Sequence, residues 1–147
     1  MQINNTYIHT YKNMKTIALI EKGVDGMYTI FTPKIESFIF GSGNTVEEAK
    51  ADFENSVKEV FEAYRENNDK LPDELIDISF EYKYDIASFF NYYDWINVTK
   101  FAKKARINGS LMRHYKGGEY ISLKQIAKIE NTLHELGNEI SKIKLTV

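Results

Sequence analysis

Two hydrophobic rhythms divide this chain. Up to about residue 85, short β-type runs surround one long helical stripe; beyond it the spacing is helical throughout. Lys15 to Glu21 is rich in β-formers, and Val24-Asp25-Gly26 behind it is a strong hairpin signal. Met27 to Thr32 reads as the return strand, stopped by Pro33. Ser37-Phe-Ile-Phe40 reads as a third short strand, after which Gly41-Ser-Gly43 turns the chain. Thr45-Val-Glu-Glu48 is a capping box, with Thr45 as N-cap and Glu48 reaching back. Val46, Ala49, Phe53, Val57, Val60, Phe61 and Tyr64 then recur at helical steps, one face of a helix of about six turns. The opposite face carries Glu47, Asp52, Glu54, Glu59 and Glu62, and Asn67-Asn68 with Pro72 ends the helix. Asp77 to Asp85 alternates: Ile78, Phe80, Tyr82 and Tyr84 on one side, Ser79, Glu81 and Lys83 on the other, a half-buried strand. The order β-β-β-α-β, with one helix over one sheet face, is an α+β domain.

From residue 85 the chain is expected to be all helical. Asp85 is placed to cap a helix whose apolar stripe is Ile86, Phe89, Phe90 and Tyr93, closed by Trp95 and Ile96. In Val98–Tyr115, Phe101, Ala102 and Ala105 form one apolar face and Leu111, Met112 and Tyr115 a second. Ile107 is the buried turn residue and Asn108 the N-cap of the following helix, the pattern of a helix-turn-helix. Small Ala102 suits a tight helix crossing, while Arg106 stands where such turns usually carry glycine. Gly117-Gly118 stops that helix, and Ser122-Leu-Lys-Gln125 opens the next with a second capping box. Ile126, Ile129, Leu133, Leu136, Ile140 and Ile143 follow; the first of these back the helix-turn-helix, and those past Gly137 are expected to form a dimer seam or a contact to the first domain. The expected fold class is thus α+β, an N-terminal β-β-β-α-β domain (residues 14–84) and then an all-α helix-turn-helix DNA-binding domain (residues 85–147). Residues 1–13 precede both as a flexible lead-in or extra edge strand, without the charged-then-apolar pattern of a signal peptide.

Charge sharpens this division. Residues 1–84 hold 9 Lys/Arg and 15 Asp/Glu, net −6, and residues 85–147 hold 10 and 6, net +4, which together give the −2 of the whole chain. An acidic half followed by a basic half suggests two different partners. The 147 residues contain no Cys, which excludes disulfides and Cys-based zinc sites and fits a cytoplasmic location. The longest apolar runs, such as Ile17-Ala-Leu-Ile20, are far too short to span a membrane.

Direct base readout needs side chains on the exposed start of the second helix of the pair. With Leu111, Met112 and Tyr115 inward, the outward set is Gly109, Ser110, Arg113 and His114, with Asn108 at the tip. Arg113 suits a bidentate contact to guanine, Asn108 and Ser110 a base or phosphate, and Thr99, Lys103, Lys104 and Lys116 suit flanking phosphates. A catalytic reading has little to stand on. His9, His114 and His134 lie on different elements without metal-ligand spacing, and no nucleophile stands beside a base. Gly41-Ser-Gly43 before a helix lacks the Lys-Ser/Thr of a P-loop and precedes an acidic turn. No cofactor or metal is expected.

From Met14 onward the chain resembles the HicB antitoxins of bacterial toxin–antitoxin pairs. The matching residues are Met14-Lys15, Asp25-Gly26 with Tyr28, Pro33, and Gly43-Asn-Thr-Val-Glu-Glu-Ala49, followed by a Cro/repressor-type helix-turn-helix over Val98–Tyr115. The resemblance implies a first domain related to a truncated ribonuclease H fold and a protein that is not an enzyme. It implies that this acidic domain sequesters a small basic HicA-like ribonuclease toxin. The second domain would bind operator DNA as a homodimer or higher homo-oligomer and repress the pair's own transcription. The family's apolar-Pro-Gly-Cys-type segment before the third strand is replaced here by Lys34-Ile-Glu-Ser37. The alternative function is a stand-alone DNA-binding regulator whose first domain binds a ligand or mediates oligomerisation.

Overall fold

The β-rich run after residue 14 forms β1 (Lys15–Lys22), and Asp25-Gly26 forms the tight turn that returns it as β2 (Tyr28–Phe31). Gly26 takes φ +85°, a region side chains disfavour, and the Asp25 carboxylate accepts a hydrogen bond from the Met27 amide at 3.0 Å. The third strand, β3, is Phe40–Gly43, so the expected strand Ser37–Phe40 is shifted and the expected turn Gly41-Ser-Gly43 is strand. These glycines serve close approach rather than reversal. A Cβ on Gly41 would collide with the backbone of Phe53, and one on Gly43 would lie 2.5 Å from the Cβ of Glu48.

Both residues lie under α1 (Val46–Glu66), whose start is capped as expected: Thr45 Oγ1 accepts from the Glu48 amide at 3.1 Å. Glu48 reaches back one residue further than a standard box, accepting from the Asn44 amide at 2.8 Å. Val46, Ala49 and Phe53 are buried, whereas Val57, Val60, Phe61 and Tyr64 are only half-buried, so the apolar stripe outruns the sheet beneath it. Asn68 ends the helix in the left-handed region at φ +55°. A 3-10 turn (Asp73–Leu75) with buried Leu75 leads into β4 (Ser79–Tyr84). Phe53 meets Phe80 and Tyr82 edge-on, with ring centroids 5.1 and 6.2 Å away.

The sheet is mixed, in the order β3-β2-β1-β4; β1 runs antiparallel to β2 and parallel to β4. The loop before β3 is pinned at both ends. Thr32 Oγ1 accepts from the Ile39 amide at 2.9 Å, and the Glu74 carboxylate accepts from the Ser37 and Glu36 amides at 2.7 and 3.1 Å.

The described residues are 15–147 of the chain in this computed structural model, so residues 1–14, with the lead-in, Met14 and His9, lie outside them. The chain divides into two compact units, the first ending at Asp85 and the second running Ile86–Val147. The second contains α2 (Ile86–Tyr92), α3 (Val98–Lys104), α4 (Gly109–Lys116) and α5 (Leu123–Ser141). Phe90, Phe101, Ala102, Ala105, Ile107, Met112, Tyr115 and Ile129 form its core. With four strands and five helices among the described residues, the fold is α+β. No helix among them is long and apolar enough to cross a membrane.

Two outcomes test this packing. Gly41→Ala should destabilise the first unit by about 3 kcal/mol, read from urea unfolding, because backbone rather than a movable side chain fills the space. Hydrogen bonds from the Ser37 side chain and amide and from the Glu36 amide hold the Glu74 carboxyl below the ordinary glutamate range. Its charged form therefore stabilises the fold above the ordinary glutamate value, a contribution lost as pH falls through the lowered folded value. The Ser37 amide resonance should titrate with a midpoint on the acid side of ordinary glutamate; a midpoint at or above that value would contradict the contact.

Candidate nucleic-acid interface

The turn between α3 and α4 sets the geometry of the basic surface. Asn97 caps α3, its side chain accepting from the Lys100 amide at 2.9 Å. At the other end the Arg106 amide donates to the Lys103 carbonyl at 3.2 Å and the Ile107 amide to the Ala102 carbonyl at 2.9 Å. That pair of bonds is a Schellman motif, and it requires its middle residue to be left-handed: Arg106 has φ +55°. The strain expected of a non-glycine residue at this turn is therefore present, and the turn keeps its form regardless. Ile107 and Ala102 are both buried, at 6% and 0% exposure, so α4 crosses close over α3.

Asn108 then caps α4, its Oδ1 accepting from the Ser110 and Leu111 amides at 2.8 and 3.3 Å. That oxygen is occupied with the helix start, which makes Asn108 a positioning residue for the face beyond it. Met112 and Tyr115 point inward. Leu111 does not: it is 39% exposed, because the buried arc of so short a helix is spanned by Met112 and Tyr115 alone. Ser110, Arg113 and His114, at i, i+3 and i+4, form the exposed row opposite them. A Cβ on Gly109 would lie 3.8 Å from the Arg113 guanidinium, so Arg113 extends over the first turn of α4.

The remaining cations separate into two groups. Thr99, Lys103 and Lys116 are exposed as expected, and Lys100, which the sequence reasoning passes over, is exposed on α3 beside them. Lys104 instead reaches α5, its ammonium 3.3 Å from the Glu139 carboxylate. His114 is likewise engaged: its Nδ1 lies 2.6 Å from Glu119 Oε1. Gly118, at φ +89°, makes a second Schellman turn that folds Glu119 back over His114. Among the described residues, no hydrogen bond or ion pair engages the Arg113 guanidinium, and no group of three metal-ligating side chains converges anywhere.

Two supports of this unit differ from the sequence expectation. Trp95 does not close α2 against its neighbours; it is 71% exposed, resting edge-on against Tyr93. The second capping box is half made: Ser122 Oγ accepts from the Gln125 amide at 3.4 Å, but Gln125 Oε1 is buried with no partner among the described residues. Along α5, Ile129 is buried and Leu133 and Leu136 pack against the core, while Ile140 and Ile143 are 53% and 62% exposed. No family model, no curated protein and no solved structure matches the chain.

Arg106→Gly should stabilise the chain by about 0.5–1 kcal/mol, since relief of the left-handed strain exceeds the added flexibility of the unfolded glycine. A raised denaturation midpoint with an unchanged slope would show it; a lowered midpoint would mean that the arginine side chain holds the turn by contacts of its own.

Proposed function

We propose that the chain is a HicB-type antitoxin that represses its own transcription. In this reading residues 14–84 are a β-β-β-α-β domain of the truncated ribonuclease H kind and residues 85–147 a Cro/repressor-type helix-turn-helix domain. The α3–α4 pair is the DNA-reading motif, with α4 entering the major groove. The observation that carries the reading is the row Ser110, Arg113 and His114 on a capped helix, locked to α3 by buried Ala102 and Ile107. Arg113, with no carboxylate partner among the described residues, offers a bidentate donor for guanine, and exposed Leu111 offers an apolar contact for a thymine methyl. Lys100, Lys103, Lys116 and Thr99 supply phosphate contacts beside it, whereas Lys104 is tied to α5. Exposed Ile140 and Ile143 extend the α5 stripe beyond the core and form the seam of a homodimer on operator DNA.

The toxin half of the reading rests on the charge of α1. Its sequence carries seven acidic residues (Glu47, Glu48, Asp52, Glu54, Glu59, Glu62 and Glu66) against three basic ones. That surface suits a small basic ribonuclease. The protein acts by binding, as a non-enzyme without cofactor, in the cytoplasm.

Arg113→Ala combined with His114→Ala should abolish binding to the DNA upstream of the gene while leaving the circular dichroism spectrum unchanged. Binding by the native protein should weaken steeply with salt, as phosphate contacts release counterions. Retained sequence-specific binding in the double variant would mean that the recognition face is elsewhere. Purification of the native complex should yield a small basic protein with ribonuclease activity that the antitoxin suppresses.

A further inference from the structure

The sheet has two faces, and α1 covers one. Strand register places the other face residue by residue: Leu19 pairs with Phe31, and Phe31 with Phe40, making an apolar row across three strands. Phe38 extends this row, its ring 6.4 Å from that of Phe40 and 5.9 Å from that of Phe31. Ile17, two residues before Leu19 on β1, shares the face. Phe38 and Phe40 are 64% and 42% exposed, a contiguous aromatic surface of the kind that marks an interaction site. The loop carrying Phe38 is fixed beforehand by Thr32 and Glu74, so little ordering entropy is lost on docking.

The surroundings of the patch select its occupant. Strand addition at the nearest edge is obstructed, because the outward Ser42 amide of β3 already donates to the Asp52 carboxylate at 2.8 Å. Docking is therefore onto the face. Among the described residues, the charges that share this face balance: Lys15 and Lys83 against Glu21 and Glu81, with Lys34 and Glu36, one of each sign, in the adjoining loop. The acidic surface of this unit lies on α1, the side that the function proposed above gives to a basic partner. A neutral aromatic face fits a surface of the same character, and the chain provides one in its own copy. The Glu81–Lys83 pair, 3.5 Å apart on β4, gives each copy an acid and a base to exchange across a two-fold axis.

We propose that this outer sheet face joins two copies of the chain, sheet on sheet, around Phe38 and Phe40. The contact is independent of the α5 seam and of DNA.

The absence of cysteine makes a direct test available in the full-length protein. Phe40→Cys treated with a short bismaleimide should give a covalent dimer on a denaturing gel. Val24→Cys, at the fully exposed hairpin tip, should not. The cross-link should persist when Ile140→Glu and Ile143→Glu are added, which separates this face from the proposed α5 seam. Phe38→Glu with Phe40→Glu should halve the mass measured by sedimentation relative to the native chain, with an unchanged circular dichroism spectrum. A Phe40→Cys yield no greater than that of Val24→Cys, a cross-link lost with the α5 substitutions, or an unchanged mass in the double glutamate variant would each overturn the proposal.

Discussion

One helix has to cover a four-stranded sheet, and it does so by lying almost in contact with the strand backbone. Gly41 and Gly43 make this possible, because any side chain at either position would occupy the space taken by Phe53, Glu48 and Ala49. Much follows from that closeness. The N-terminal half of α1 buries Val46, Ala49 and Phe53, while its last turns extend past the sheet with their apolar residues half covered. With α1, the one long helix among the described residues of the first unit, on one side, Leu19, Phe31 and Phe40 are left on the other. The same closeness brings Asp52 within reach of the Ser42 amide, so a packing contact also protects an edge strand.

In the second unit, contacts with carboxylates set apart some of the basic residues that composition alone makes equivalent. Lys104 and His114 have carboxylate partners in Glu139 and Glu119, both reached by exposed side chains. Exposed pairs of this sort contribute little stability. Their effect is to concentrate the positive charge of α3 and α4 that has no partner among the described residues on Lys100, Lys103, Arg113 and Lys116. The proposed DNA surface is thus narrower than the count of Lys and Arg suggests.

What the sequence disclosed follows the range of the interactions involved. Caps and periodic stripes act within a few residues, so Thr45, Asn108, the α1 stripe and the α5 stripe are readable directly. The hairpin at Asp25-Gly26 is readable for the same reason. Gly41 and Gly43 read as a turn because the residues that require glycine there, Phe53 and Glu48, are contacts across space rather than neighbours in the local pattern. Leu111 reads as inward because a periodic apolar position is buried only where another element faces it. Glu119 was invisible as a partner of His114: two glycines separate it from α4, and only the left-handed turn at Gly118 brings it back. Lys104 is the same case at longer range, its partner lying 35 residues away.

Three helices end in the same way, with Asn68, Arg106 and Gly118 each in the left-handed region. Asn and Gly adopt that conformation at little cost; arginine does not. Its allowed left-handed basin is small and steep-walled, whereas a glycine there would range widely in both φ and ψ. The arginine at the α3–α4 junction therefore acts as a stiffener. The unit gives up stability at that one bond, and in exchange the angle between its two central helices is held within tighter bounds than a glycine hinge would allow.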